Sequence, residues 1–279
     1  MYILGINAYH GDSSACLLKD GIVVCAIEEE RIRRIKHWAG FPSESIKFCL
    51  DDEGITIEQI DYITISRDPK ANFHKKLLYI LRYKTSIPRV YSRLRNYKKV
   101  AKIKEQIANL FQVPEYIIKA KVYNIEHHRS HIASSFFASS FRQSAILSVD
   151  GFGDFTSTMS AIGNGNNFQV LNQVNYPHSL GLFYTTVTQF LGFPNYGDEY
   201  KVMGLAPYGR PRYLKDLEQA IKLNSDGFFK LNKLFFKHFD EGVLMNWEGG
   251  VPMIATLFTK KWEDIFGQSR RNEDKIEQF

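Results

Sequence analysis

SAILSVDGFGDFTSTMSAIGNGNNFQVLNQV, residues 144–174, reads as strand, polar glycine-rich turn, strand, Asn/Gly turn and strand. Short apolar runs bounded by such turns mark half-buried strands. The same order stands at the front of the chain. YILGIN (2–7) reads as a short buried strand, and ACLLKDGIVVCAIEEE (15–30) as a hairpin turning at Lys19-Asp20-Gly21. The first turn is NAYHGD (7–12) and its counterpart is DGFGD (150–154). Each follows an apolar strand and sets glycine beside carboxylate. A single Gly/Asp turn is common, but a pair at equivalent places indicates an internal duplication.

Working outward, SESIKFCLDDEG (43–54) has helical apolar spacing, with Ser43 or Ser45 as N-cap and Gly54 as its stop. DYITIS (61–66) is a further strand. KVYNIE (121–126) is extended and leads into a helix ending near Phe141. Residues 1–142 therefore read β-β-β-α-β, then helices, then β-α, and the pattern restarts at 143. This predicts an α/β chain of two ribonuclease H-like lobes on the actin and sugar-kinase ATPase plan. In that plan, paired β-turns grip phosphate through backbone N–H groups. The first lobe is 1–142 with a basic helical insertion at about 68–120, and the second is 143–279. The second continues with a helix at LGLFYTTVTQFLG (180–192), a loop FPNYGDEYKVMGLAPYGRP (193–211) and a helix around Tyr213 to Leu223. No further β-α units follow, so this lobe is expected to be truncated.

A hydrophobic content of 44% over 279 residues supplies a real core and excludes a disordered chain. Cys16, Cys25 and Cys49 lack metal-type spacing and suit a reducing compartment. The opening has no basic n-region, and no apolar run reaches membrane-span length. A soluble cytoplasmic protein with no membrane contact is expected. The net charge of +6 is concentrated between Lys70 and Lys104, where no acid occurs until Glu105. Phe73, Tyr79, Tyr83, Tyr91 and Tyr97 interleave with that charge. The segment reads either as a polyanion-binding patch or as a solvated helical insertion docking its Leu and Tyr residues. No RNA or DNA module accompanies it, so nucleic acid is not an expected partner.

NIEHHRSHIASSFFASSF (124–141) carries the metal question. On a helix, His127 and His131 share a face, whereas His128 points about 100° away from His127. Two imidazoles so placed can close on one divalent ion, or can be two half-buried polar residues. Spacing alone leaves both open. A zinc-protease reading fails, because His128 stands where the catalytic glutamate would be.

GINAYHGDSSACLL (5–18), EEERIRRIKHWAGFP (28–42), HHRSHIASSFFASSF (127–141), SVDGFGD (148–154) and GDEYKVMGLAPYG (197–209) resemble, in order, the O-carbamoyltransferases of nodulation-factor and antibiotic biosynthesis. The resemblance implies a longer, two-domain enzyme. Its N-terminal domain is actin-like and similar to the universal tRNA threonylcarbamoyl-transfer protein. Its C-terminal domain makes carbamoyladenylate from ATP and carbamoyl phosphate, and the carbamoyl group then passes to a hydroxyl of a small-molecule or sugar acceptor. The adenylate-forming domain is absent from this sequence, so a separate domain or subunit is an expected partner.

The resemblance further implies a divalent metal, discussed as iron, on His127, His131 and Asp150, with another family aspartate beyond residue 279. It places the general base for the acceptor hydroxyl on His10. Asp12 orients that ring or contacts the nucleotide, and Lys36 stabilises charge on the adenylate or leaving phosphate. Gly11 lies in the first phosphate turn. In the second, Gly151 and Gly153 present amides to phosphate, while Asp150 turns to the metal and Asp154 sets the turn. Glu199 and Lys201 are cleft contacts; Met203, Leu205 and Pro207 pack; Gly204 and Gly209 are helix ends or ligand contacts. His128 is orienting or structural, and Phe136 and Phe137 are core. Two other readings remain: a sugar-kinase-like phosphotransferase, and a non-catalytic remnant binding nucleotide, RNA or a partner subunit through Lys70–Lys104.

Overall fold

Alternating burial in Tyr2–Asn7 (β1) places Leu4 and Ile6 inside, and the strand pairs antiparallel with Ser14–Lys19 (β2), aligning Leu4 with Leu17. Ile22–Glu28 (β3) completes the meander through the turn at Asp20 and Gly21. Tyr62–Ile65 (β4) adds parallel to β1, and Lys121–Asn124 (β5) parallel to β4. The sheet order β3-β2-β1-β4-β5 is the ribonuclease H-like order of the actin-like fold. The structure, a computed structural model, describes residues 1–83, 102–243, 245–248 and 250–275; of 82–83 and 245–248 it describes the backbone alone.

Glu29–Arg33 (α1) and Ser43–Glu53 (α2) follow β3. α2 buries Ile46, Cys49 and Leu50 in the core that Leu4, Leu17, Ile63 and Ile65 share. It stops where Gly54 takes φ 67° and returns its N–H to Leu50 and Asp51. Its start differs from the sequence reading. Pro42 is the N-cap residue, and no side chain there caps the helix. The buried Glu29 does so from α1, accepting from the Ser45 amide at 2.8 Å, the Ser45 hydroxyl at 2.8 Å, the Glu44 amide at 3.2 Å and Arg33 Nε at 2.6 Å. A carboxylate at a helix N-terminus is stabilised by the amide dipoles that it satisfies.

Within the basic segment, Phe73–Tyr83 (α3) leaves Phe73, Leu77, Leu78 and Leu81 exposed, so these residues do not dock as expected. Residues 84–101, with Tyr91 and Tyr97, lie outside the described residues. Ile103–Phe111 (α4) returns to the core through Ile103 and Ile107.

His127–Phe137 (α5) ends before the expected Phe141. Its Ile132 and Phe136 pack on Ile146, Met159 and Ala161, whereas Phe137 is exposed. Gln143–Gly153 (β6), Thr156–Asn164 (β7) and Asn167–Asn175 (β8) form the second antiparallel meander. Leu180–Phe190 (α6) follows, capped by Ser179. The expected loop at 193–211 contains a helix, Glu199–Leu205 (α7), and the expected helix at 213–223 is one turn, Leu214–Leu217 (α8), followed by the strand Ile221–Leu223 (β9). A core of Phe190, Phe235, Phe236 and Trp262 closes this part, and the Trp262 indole N–H donates to the Phe235 carbonyl at 2.9 Å.

The chain divides into two compact units, Met1–Ser130 with Trp247–Pro252, and His131–Asn246 with Met253–Phe279. This boundary falls within α5, while the element order restarts at β6. No helix among the described residues is long and apolar enough to cross a membrane.

Candidate metal centre and neighbouring histidine

Glu126 immediately precedes α5, and its buried carboxylate accepts the Arg129 amide at 2.8 Å and so satisfies one of the helix's unpaired N-terminal donors. The buried stripe is His128, Ile132 and Phe136, four residues apart, so His128 belongs to the core-facing side. His127 and His131 share the adjoining face. Within the second unit, His131 Nε2 lies 3.5 Å from Asp150 Oδ2. His127 stands one turn before His131 on the same helix, so His127, His131 and Asp150 form a candidate donor group. Two donors held about 2.1 Å from one ion, at tetrahedral or octahedral angles, stand about 3.0–3.4 Å apart. The His131–Asp150 spacing is close to that range, and two imidazoles with a carboxylate are a donor set that fits a divalent metal. The Gly151 N–H donates to Asp150 Oδ1 at 2.6 Å, which leaves Oδ2 as the oxygen facing His131.

His10 sits in the first turn, its ring centroid 5.2 Å from that of His127. Its Nδ1 is 3.2 Å from the Gly11 carbonyl. A carbonyl only accepts, so in this contact Nδ1 is the donor. The turn is held under strain: Tyr9 has φ 58° and Asp12 φ 60°. For residues with a side chain this costs about 1 kcal/mol or more each, and surrounding bonds over-determine the geometry. The Tyr9 amide donates to Gly40 at 3.0 Å, the Ser13 hydroxyl to Gly40 at 2.8 Å and the Ser13 amide to Trp38 at 2.8 Å. The Asn7 amide group donates to the Asp12 carbonyl at 3.0 Å, and the Tyr9 hydroxyl donates to Gln106.

Asp12 meets His37 rather than the His10 ring: Asp12 Oδ1 lies 2.7 Å from His37 Nδ1. The His37 amide also donates to Glu30 Oε2 at 2.9 Å, and donor atoms of Asp12, Glu30 and His37 lie within 4.8 Å of one another. Sequence reasoning missed His37, although it is the residue after Lys36 in RIKHWAG. Lys36 itself is exposed in that turn.

The second turn carries its strain on Asp154 (φ 49°) and Phe155 (φ 79°), while Gly11, Gly151 and Gly153 do not take positive φ. A Cβ on Gly151 would enter open space. In the GDEYKVMG segment, Glu199 Oε1 accepts the Thr185 hydroxyl at 2.5 Å, and Lys201 Nζ lies 2.7 Å from Asp198 Oδ1. That carboxylate pushes the Lys201 pKa up. Met203, on the outward side of α7, and Pro207, in the turn after it, are exposed, not packed.

A ribonuclease H-like sheet and a two-histidine, one-carboxylate donor group define an actin-like protein with a candidate metal centre. Within that class the chain belongs to the carbamoyltransferase family, whose N-terminal family model, Carbamoyltransferase N-terminus, matches residues 2–277. An uncharacterised protein of Synechocystis is 37% identical over 98% of this chain and 43% of its own length. The nodulation protein NolNO of Sinorhizobium fredii is 36% identical over 81% of this chain and 32% of its own. The chain thus spans less than half of these relatives. Among solved structures, YeaZ from Pseudomonas aeruginosa is similar with a TM-score of 0.36 and 10% identity, over 63% of this chain and 67% of that one.

Proposed function

We propose that this chain carries the group-transfer site of an O-carbamoyltransferase. Carbamoyladenylate, formed elsewhere from ATP and carbamoyl phosphate, and a hydroxyl acceptor give a carbamate ester and AMP. The observation that carries this reading is the His10 ring lying against His127, a member of the candidate metal group. The acceptor oxygen attacks the carbamoyl carbon as its proton passes to His10 Nε2. The bond from that carbon to the adenylate phosphate oxygen breaks, and AMP departs with the electron pair. An alcohol is a weak nucleophile until its proton is taken, so the base contributes directly to the rate. A divalent ion on His127, His131 and Asp150, iron in this proposal, would act as a Lewis acid toward phosphate oxygens. Lys36 adds positive charge near the leaving phosphate. Asp12, paired with His37, holds the backbone on which His10 stands, and the open side of Gly151 admits the nucleotide. Glu199 and Lys201 act through their contacts with Thr185 and Asp198. A sugar-kinase-like reading leaves the histidine pair without a role.

The test supplies synthetic carbamoyladenylate and a panel of sugar and small-molecule alcohols to the 279-residue chain, and follows AMP and carbamate ester by mass spectrometry. The proposal expects hydroxyl-dependent AMP release, reduced about 100-fold or more in His10→Ala. Release that is equal in wild type and His10→Ala removes the general-base role.

A further inference from the structure

The β6–β7 ladder breaks between Val149 and Gly153, so Asp150, Gly151 and Phe152 are not fixed by cross-strand pairing. Helix α6 takes over that task. A Cβ placed on Gly181 would lie 2.6 Å from the Gly151 nitrogen and 2.7 Å from both the carbonyl carbon and oxygen of Asp150. Only glycine permits this approach. Ser179, buried at the start of the helix, donates its hydroxyl to the Asp150 carbonyl at 3.0 Å and accepts the Leu182 amide at 3.0 Å. One hydroxyl therefore caps α6 and ties down the backbone of the candidate ligand. One turn further along the same face, Thr185 contacts the Gly181 carbonyl at 3.1 Å and Glu199 at 2.5 Å.

We infer that Ser179 and Gly181 are positioning residues for Asp150, an inference that rests on the metal reading above. They hold the Asp150–Gly151 peptide so that one carboxylate oxygen takes the Gly151 amide and the other faces His131. Metal affinity requires donors within about 0.2 Å of their working distances. Residues that orient a ligand without touching the ion commonly control about 10- to 100-fold in affinity. A methyl group at position 181 displaces the peptide by contact with its backbone. Loss of the Ser179 hydroxyl releases the same peptide on its other tie.

The test is Co²⁺ titration of the 279-residue chain, read by its visible ligand-field bands, with far-UV circular dichroism of the metal-free proteins as a fold control. Wild type is expected to bind one Co²⁺ and His131→Ala to lose it. Ser179→Ala and Gly181→Ala are expected to bind about tenfold more weakly or worse, with altered bands, and Ser179→Thr to bind as wild type does. Should Gly181→Ala fail to fold, the comparison of Ser179→Ala with Ser179→Thr decides. Wild-type affinity and bands in Ser179→Ala, with His131→Ala still defective, overturn the positioning role alone. Equal Co²⁺ binding by wild type and His131→Ala overturns the metal reading and this inference with it.

Discussion

The β1–β2 turn and the β6–β7 turn hold equivalent places in two antiparallel meanders, and both are strained at residues other than glycine. Tyr9 and Asp12 bear the left-handed backbone in one, Asp154 and Phe155 in the other. Their anchors differ. The first is bound by polar contacts to the segment after α1: Ser13 to Trp38 and Gly40, and Asp12 to His37. The second rests on aromatic rings and a helix end: Phe152 and Phe155 lie 4.9 and 5.7 Å from Tyr176, and Ser179 and Gly181 close on Asp150. Duplication retained the backbone plan while the chemistry was divided. A histidine suited to proton transfer stands in the first turn, and a carboxylate suited to a metal in the second.

The comparison breaks most severely at Glu29, the buried carboxylate beneath the first turn's support. Its amide donates to the Ser13 carbonyl at 2.9 Å, while its carboxylate gathers Arg33, Ser45 and Glu44. Glu29→Gln puts an amide donor among donors and leaves Arg33 only its longer ionic contact with Glu44 at 3.9 Å. The expected cost is about 3 kcal/mol of global stability, measured as a lowered urea midpoint at constant slope. An unchanged midpoint would show that the cap carries no such weight.

The second turn should answer to acid. His238 is buried next to Phe152 and Tyr176, and donates from Nε2 to the Pro177 carbonyl at 2.8 Å. Burial pushes its pKa down to about 4. The unfolded chain, with a histidine pKa of about 6.5, binds the proton more readily, so stability falls as pH drops from about 6.5 toward 4. The loss reaches about 3 kcal/mol across that window. His238→Gln, which keeps a donor for Pro177, should flatten this part of the pH profile. An identical slope in both proteins would assign the acid sensitivity elsewhere.

The smallest effect is expected at Gly151. Its backbone does not need glycine and a Cβ there meets nothing, so Gly151→Ala should leave the melting temperature within about 2 °C of wild type. If nucleotide approaches this face, the same substitution weakens carbamoyladenylate binding, measurable by calorimetry. Unaltered binding would move the nucleotide away from the second turn.

The strands of both meanders were legible in the sequence because alternation and turn residues are local signals, and Gly54 marked the end of α2 for the same reason. His127 and His131 are legible through helical spacing, and Asp150 through the family resemblance; within the second unit His131 faces Asp150. What escaped is tertiary. Pro42 replaces the expected serine cap because Glu29, distant in sequence, supplies the acceptors. Asp12 finds His37 instead of His10 because the left-handed turn carries its side chain away from the neighbouring ring. α7 was read as loop since glycine, proline and aromatic residues crowd its ends, yet contacts from Tyr184 and Thr185 to Glu199 hold it against α6.

X-ray absorption at the iron edge, on wild-type chain loaded anoxically with Fe²⁺, tests the proposed metal centre most directly. Outer-shell scattering from two imidazoles is expected, falling to one in His127→Ala and in His131→Ala, with oxygen donors filling the remaining positions. A wild-type spectrum without imidazole scattering, or one that neither substitution alters, would contradict the proposed centre.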